Sequence, residues 1–158
     1  MNKNKRYKYP KGGFAGIPRY VVETKAYKSL KYSSQSLLLL ISHQYNGKNN
    51  GDLSASYSLY KDYFKSSQTL FNARDELERK GFIAVNSYGG MSYGGHKLPT
   101  LYALTWLPVD DFINLKKNQF RCTHLPLGKE LKYFINGHNP RYKTPKSKKA
   151  QYKKDSVA

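Results

Sequence analysis

The stretch from Ser66 to Phe82 constrains the fold of this chain more than any other segment. Apolar side chains recur in it at helical spacing, and polar side chains fall on the opposite face at about 100° per residue. The apolar stripe consists of Leu70, Ala73 and Leu77, and the polar face consists of Gln68, Asn72, Asp75 and Arg79. Ser66 can cap the start, and Gly81 can end the helix with Phe82 folded back onto Leu77. The segment therefore predicts an amphipathic helix that ends at Lys80.

The segments around this helix predict a defined order of elements. They are a short helix capped by Thr24, a helix capped by Ser33 or Ser34 and ending near Tyr45, a strand at Leu53, a helix ending near Phe64, and two strands, Phe82–Val85 and Thr100–Trp106, around a glycine-rich loop. Residues 37–41 are all aliphatic, so we expect the helix that contains them to be buried almost all round. The second and third core helices are expected to pack through Leu59, Phe64, Leu70 and Ala73.

The order helix, strand, helix, turn, helix, hairpin is typical of a winged helix-turn-helix. We therefore predict an α+β fold of that type, with a three-helix core and a β-hairpin wing, over residues 14–108. Residues 109–136 form a C-terminal extension in which Leu131, Phe134 and Ile135 predict one short docked helix.

Charge is concentrated at the two ends of the chain. The 158 residues contain 28 Lys and Arg against 10 Asp and Glu, a formal charge of +18, and the ends hold half of the basic residues. Such an excess favours a polyanionic partner. Residues 1–13 are expected to form a basic arm. Residues 137–158 are expected to form a basic, disordered tail, because they contain too few aliphatic side chains to offset the cost of ordering. These arms have two possible roles: they contact nucleic acid, or they serve only to keep the protein soluble.

Several short segments resemble those of small winged helix-turn-helix proteins from bacterial plasmids, phages and integrative elements. They are Ile17-Pro18-Arg19-Tyr20, Tyr45-Asn46-Gly47-Lys48-Asn49-Asn50-Gly51, Leu53-Ser54, Ser66-Ser67-Gln68-Thr69, Glu76-Leu77-Glu78-Arg79-Lys80-Gly81-Phe82-Ile83 and Tyr102-Ala103-Leu104-Thr105-Trp106. The resemblance implies DNA binding, as a transcription regulator or beside a replication origin. Phe64-Lys65-Ser66 departs from the pattern, because many helix-turn-helix turns contain a glycine there.

The third core helix carries the residues that we expect to read bases. Gln68 and Asn72 lie one turn apart, and each amide can donate to and accept from an adenine edge at once. Ser67 and Thr69 can bond phosphates, although Ser67 can equally serve as a cap. Phosphate contacts are further expected from Lys65 before the helix, from His96 and Lys97 in the wing, and from Arg6 and Lys8 in the N-terminal arm. The acidic Asp75 limits the expected groove contact to the first two turns.

Signals for catalysis, metals and membranes are weak. The four histidines are scattered, and Cys122 with His124 falls far short of a zinc-ligand set. The glycine-rich segment 89–95 lacks the Lys-Ser/Thr ending of a phosphate-binding loop. We expect no enzymatic activity, cofactor or metal. No apolar run reaches the length of a membrane span, so we expect a cytoplasmic protein associated with the nucleoid or a plasmid.

Three functions remain open on these observations. The first is sequence-specific binding of double-stranded DNA, as a transcriptional or copy-number regulator of a bacterial mobile element. The second is origin binding in plasmid or phage replication, which requires a host replication protein as partner. The third is structural RNA binding by a basic protein. A homodimer and a host transcription protein are further candidate partners, and the sequence gives no heptad seam that decides the oligomeric state.

Overall fold

The structure, a computed structural model, describes residues 12–91, 94–111 and 123–144. Over these ranges the chain is α+β, with five α-helices, five antiparallel β-strands and one 3₁₀ helix. In chain order they are α1 (Arg19–Val22), α2 (Lys25–Lys28), α3 (Tyr32–His43), β1 (Leu53–Ser54), α4 (Tyr57–Tyr60), α5 (Ser67–Arg79), β2 (Ile83–Ser87), β3 (Gly90–Met91), β4 (Lys97–Leu98), β5 (Leu101–Leu104) and the 3₁₀ helix Tyr133–Ile135.

Helix α5 begins and ends where its sequence predicts. The Ser66 hydroxyl accepts a hydrogen bond from the Thr69 amide at 3.1 Å and so caps the first turn. At the other end Gly81 has a φ of 85°, and the Phe82 amide donates to the Leu77 carbonyl at 2.9 Å. A Cβ on Gly81 would lie 2.6 Å from the Cβ of Tyr133, so this position requires glycine both for its conformation and for space.

The sheet has the order β1-β5-β2. Ile83 pairs with Leu104 and Val85 with Tyr102, and a bulge follows Val85. Beyond the bulge, β3 and β4 pair with each other and extend the same two strands, and we call these two strands the outer hairpin. Gly89 lies at the base of this hairpin, where an added Cβ would come within 2.4 Å of the Leu98 carbonyl oxygen.

Both faces of the sheet are covered, which explains why every residue of β2 and β5 is buried. The helices cover one face and form the main core with Ile83, Val85, Tyr102 and Leu104. The segments that follow β5 in the chain cover the other face. The small side chains of Ala84 and Ala103 allow these segments to pack close to the sheet. The side chains that pack there are Val109, Leu125, Leu131 and Tyr133.

Two expectations about helix packing were wrong. Leu37, Leu38 and Ile41 of α3 are buried, but Leu39 is 45% exposed, because α5 packs against only one side of α3. Leu59 of α4 is 51% exposed, and Tyr60 takes its place in the core. Helix α3 also begins at Tyr32, so neither Ser33 nor Ser34 caps it.

The C-terminal extension contains a short helix in the expected region. The 3₁₀ helix Tyr133–Ile135 buries Phe134 completely, stacked on Phe82 at a ring-centroid distance of 5.9 Å. The amides of Leu131 and Lys132 both donate to the Thr105 carbonyl, at 3.0 and 2.8 Å, and fix the segment to the end of the sheet.

The expectation that order ends at Gly137 was wrong for residues 137–144, which we call the strap. Asn139 is only 1% exposed, and its amide donates to the Arg79 carbonyl at 3.0 Å. The Tyr142 hydroxyl donates to the Asp75 carboxylate at 2.8 Å. These hydrogen bonds to α5 stabilise the ordered strap, although its composition allows little apolar burial. The rest of the predicted tail, residues 145–158, lies outside the described residues, as do residues 1–11.

Candidate functional site

The first two turns of α5 bring the predicted reading residues together on one surface. Gln68, Thr69 and Asn72 are exposed, and Ser67 is half-buried. The Gln68 side-chain amide donates to the Asn72 side-chain oxygen at 2.8 Å. This i, i+4 bond orients both amides on the open face of the helix. Lys65, also exposed, lies just before the helix.

The start of α5 has the electrostatic character of an anion-binding surface. No acidic residue occupies its first turn, and Ser66 rather than Ser67 is the cap. The hydroxyls of Ser66 and Thr69 also share a hydrogen bond at 2.9 Å. The amide groups of a helix N-terminus carry partial positive charge, which the exposed Lys65 reinforces.

An arginine that the sequence analysis did not single out adjoins this surface. The Arg74 guanidinium lies 4.8 Å from the ring centroid of Phe71 and donates to the Ala55 carbonyl at 3.2 Å. Phe71 is 39% exposed, so the pair forms part of the molecular surface beside Asn72. The i, i+3 spacing of Phe71 and Arg74 on a helix is the signal that could have identified them.

In the second half of the polar face, the strap contacts Asp75. Asp75 is half-buried and accepts the hydrogen bond from Tyr142. Burial, followed by this hydrogen bond and the negative charge of Asp75, raises the pKa of Tyr142 to about 12. The contact with the strap therefore makes Asp75 less accessible than Gln68 and Asn72, whereas Arg79, at the end of the same face, is exposed.

Below this surface, Glu76 fixes α5 against the start of α3. Its carboxylate accepts from the Ser34 hydroxyl at 2.5 Å and from the Lys31 amide at 3.2 Å, and lies 3.0 Å from the Lys80 ammonium group. Lys80 in turn donates to the Ser29 carbonyl at 2.8 Å. Burial raises the pKa of Glu76, but the bonds from Ser34, Lys80 and Lys31 outweigh it, and the pKa is lowered overall. Glu76 thus serves as the cap of α3 that the serines do not provide.

The outer hairpin presents the other described candidates. His96 and Lys97 are exposed, and Lys97 pairs with Met91 across β3 and β4. The hairpin is joined to α5 through β2, which starts four residues after the last residue of the helix. Arg6 and Lys8, the candidates in the N-terminal arm, lie outside the described residues.

Neither a metal-binding cluster nor a membrane-spanning helix is found in the part of the chain that the structure describes. Residues 12–91, 94–111 and 123–144 contain no group of three or more His, Cys, Asp or Glu side chains that could hold a metal ion. Among the helices in those same ranges, none combines the length and the apolar character needed to cross a bilayer.

Comparisons of the chain with protein-family models, with curated proteins and with solved structures gave no match.

Proposed function

We propose that this protein binds double-stranded DNA in a sequence-specific manner through a winged helix-turn-helix. In this proposal α4 and α5 form the helix-turn-helix, α5 is the recognition helix, and the outer hairpin is the wing. The element order, the sheet order β1-β5-β2 and the hairpin that extends two of its strands support this assignment.

The observation that carries the proposal is the exposed amide pair on the open half of α5. The bond between Gln68 and Asn72 uses one hydrogen of the first amide and one lone pair of the second. Each side chain keeps at least one further donor and one further acceptor. A donor and an acceptor held side by side match the N6 and N7 atoms of adenine in the major groove.

Electrostatics supplies the affinity that base contacts alone do not. The formal charge of +18 provides a strong attraction to phosphate, and this attraction does not depend on sequence. In the proposed complex Ser67, Thr69 and Lys65 contact phosphates beside the groove, and His96 and Lys97 contact the adjacent backbone. Arg6 and Lys8 extend this contact through the N-terminal arm. Phosphate contacts of this kind fix the position of the protein, and the amides read the sequence.

The proposed role is regulation of transcription or copy number in a bacterial mobile element. It rests on the resemblance of the sequence segments described above, together with the DNA-binding chemistry of α5. Origin binding during replication uses the same chemistry and differs in requiring a host protein partner.

Selection from a random duplex library tests the proposal. The full chain is used at about 150 mM salt, because low salt exaggerates electrostatic binding. The expected result is enrichment of a short motif containing adenine, bound more tightly than random duplex. A palindromic motif would indicate a homodimer. The absence of any enriched motif, or tighter binding to structured RNA than to the best duplex, would overturn the proposal.

A further inference from the structure

A second cationic surface lies between the strap and the end of β2. It is a cleft of about 180 Å³ lined by Val85, Tyr88, His124, Arg141 and Lys143. Two of the five lining side chains are cations, a third is an imidazole, and none is a carboxylate. Pockets for whole organic ligands are typically about 300–1,000 Å³, so this cleft fits a small anionic group.

The basic side chains of the cleft are arranged around one aromatic ring. The Lys143 ammonium group lies 5.2 Å from the ring centroid of Tyr88. The His124 ring meets the same tyrosine edge to face, with centroids 5.0 Å apart. The Arg141 guanidinium donates to the His124 carbonyl oxygen, which keeps the arginine at the same wall. Tyr88 therefore positions two of these groups by contact with its ring.

Backbone hydrogen bonds hold both walls of the cleft in place. The His124 amide donates to the Asn86 carbonyl at 2.8 Å, which anchors one wall to β2. On the other wall, the Arg141 amide donates to the side-chain oxygen of the buried Asn139 at 2.9 Å. The cleft is thus formed by ordered chain, and little further ordering is required when a ligand binds.

The strap also fixes the position of the cleft relative to α5. Arg141 and Lys143 flank Tyr142, which bonds to Asp75 on the polar face of the helix. Consecutive Cα atoms are about 3.8 Å apart, so the two cations start within one residue of the strap's contact with α5. The strap therefore connects the cleft to the polar face of α5 through one short segment of chain.

We propose that the cleft binds a backbone phosphate of the duplex that α5 reads. This inference rests on the proposed function and assigns to the strap a phosphate contact outside the helix-turn-helix. Arg141 and Lys143 supply the charge, and the contact fixes the position of the protein on the duplex without reading sequence.

The salt dependence of binding to random-sequence duplex DNA tests this inference without knowledge of the target site. Lys143→Gln removes one cation of the cleft, whereas changing Arg141 would also disturb the His124 carbonyl. Lys143→Arg keeps the charge. Lys48→Gln is the matched control, because Lys48 is exposed in the turn between α3 and β1 and does not line the cleft. Thermal melting checks that all three variants fold.

Loss of one phosphate contact lowers the slope of log K against log salt by about 0.9. Between 50 and 200 mM salt, the affinity of Lys143→Gln should therefore fall about threefold less than that of the wild type. Lys143→Arg and Lys48→Gln should keep the wild-type slope. Equal slopes for Lys143→Gln and Lys48→Gln would overturn the inference. Failure of the wild type to prefer any duplex sequence would instead overturn the proposed function. The selection experiment with the wild-type protein measures this separately from the variants.

Discussion

The two halves of α5 share one amphipathic pattern but have different surroundings. In the first half the polar side chains of Gln68 and Asn72 bond to each other and face solvent. In the second half Asp75 bonds to the strap, and the carboxylate of Glu76 bonds to the start of α3. The first half is therefore exposed to solvent, and the second half bonds to other parts of the chain.

This difference shows that the polar face of a helix is not always a free surface. A helical wheel places Gln68, Asn72, Asp75 and Arg79 on one side, and in the sequence only the negative charge of Asp75 separates the two halves. The structural division comes from the strap, which bonds to Asp75 and leaves Gln68, Asn72 and Arg79 exposed. We expect substitutions in the second half to change stability, and substitutions in the first half to change DNA recognition.

Glu76→Ala should produce the largest effect and should act on stability. It removes the acceptor for the Ser34 hydroxyl and the Lys31 amide, and it leaves Lys80 without its ion pair. The free energy of unfolding should fall by about 3 kcal/mol, as for other broken buried charge networks. Urea unfolding measures this change. The matched control is Glu130→Ala, since the ion pair of Glu130 with Lys132 is on the surface and should matter little.

The same variant has a predicted pH dependence. The hydrogen bonds to Glu76 lower its pKa below the ordinary value of 4.5, so its stabilising contribution is complete above that pH. It is lost as the pH falls through the lowered pKa of the folded protein. The difference in stability between wild type and Glu76→Ala should therefore be constant from pH 6 upward and should shrink below about pH 4. A difference that persists unchanged at low pH would show that Glu76 does not act through its charge.

The part of α5 that the sequence predicts correctly is the part governed by local interactions. The Ser66 cap and the Gly81 turn depend on residues three to five positions away, so they can be read directly from the sequence. The cap of α3 depends on Glu76, which is 42 residues away from Ser34 in the chain. No local pattern contains that information.

The strap and its cleft could not be predicted for a related reason. Residues 137–144 have the polar, lysine-containing composition of a disordered segment, and their order depends on distant partners. Tyr142 bonds to a carboxylate 67 residues away, and Arg141 bonds to a carbonyl 17 residues away. The open amide pair of the candidate site was predictable, because Gln68 and Asn72 are local neighbours on a helix. The covering of Asp75 was not.

Asn72→Ala should produce the next largest effect, and it should act on recognition. Loss of one bidentate base contact is expected to reduce the preference for the selected site by about 2 kcal/mol, or roughly 30-fold. Affinity for random duplex should stay within about twofold, because phosphate contacts dominate it. Titration of both duplexes at one salt concentration measures the two quantities. The matched control is Asn136→Ala, an exposed asparagine beside the 3₁₀ helix, which should leave both affinities unchanged.

Equal losses on specific and random DNA for Asn72→Ala would contradict the proposed division between base reading and phosphate contact. A loss of stability of more than about 1 kcal/mol would contradict the description of the first half of α5 as open surface, because substitutions at exposed positions are usually nearly neutral.

Truncation separates the strap from the charged residues that follow it. Removing residues 145–158 deletes five lysines and one aspartate. Affinity for random duplex should fall about tenfold at physiological salt, with a shallower salt dependence. Stability should not change, because the strap remains. Removing residues 137–158 deletes the strap as well and should also lower the midpoint of thermal unfolding. If the two truncations have equal stability, the strap does not contribute to the fold.

Tyr142→Phe should produce the smallest effect, and its dependence on pH identifies the contact responsible. The variant loses only the hydroxyl that bonds to Asp75, which should cost about 1 kcal/mol at pH 8. Because burial and the bond to Asp75 raise the pKa of Tyr142 from 10.0 to about 12, the contribution is complete below pH 10 and is lost as the pH rises toward 12. Urea unfolding of both proteins at pH 8 and above pH 10 measures the loss. Tyr63→Phe, at a tyrosine that is 68% exposed, should match the wild type at both pH values. A Tyr142→Phe protein as stable as the wild type at pH 8 would mean that the bond to Asp75 contributes nothing, and that the strap is held by its other contacts, those of Asn139, Arg141 and Lys143.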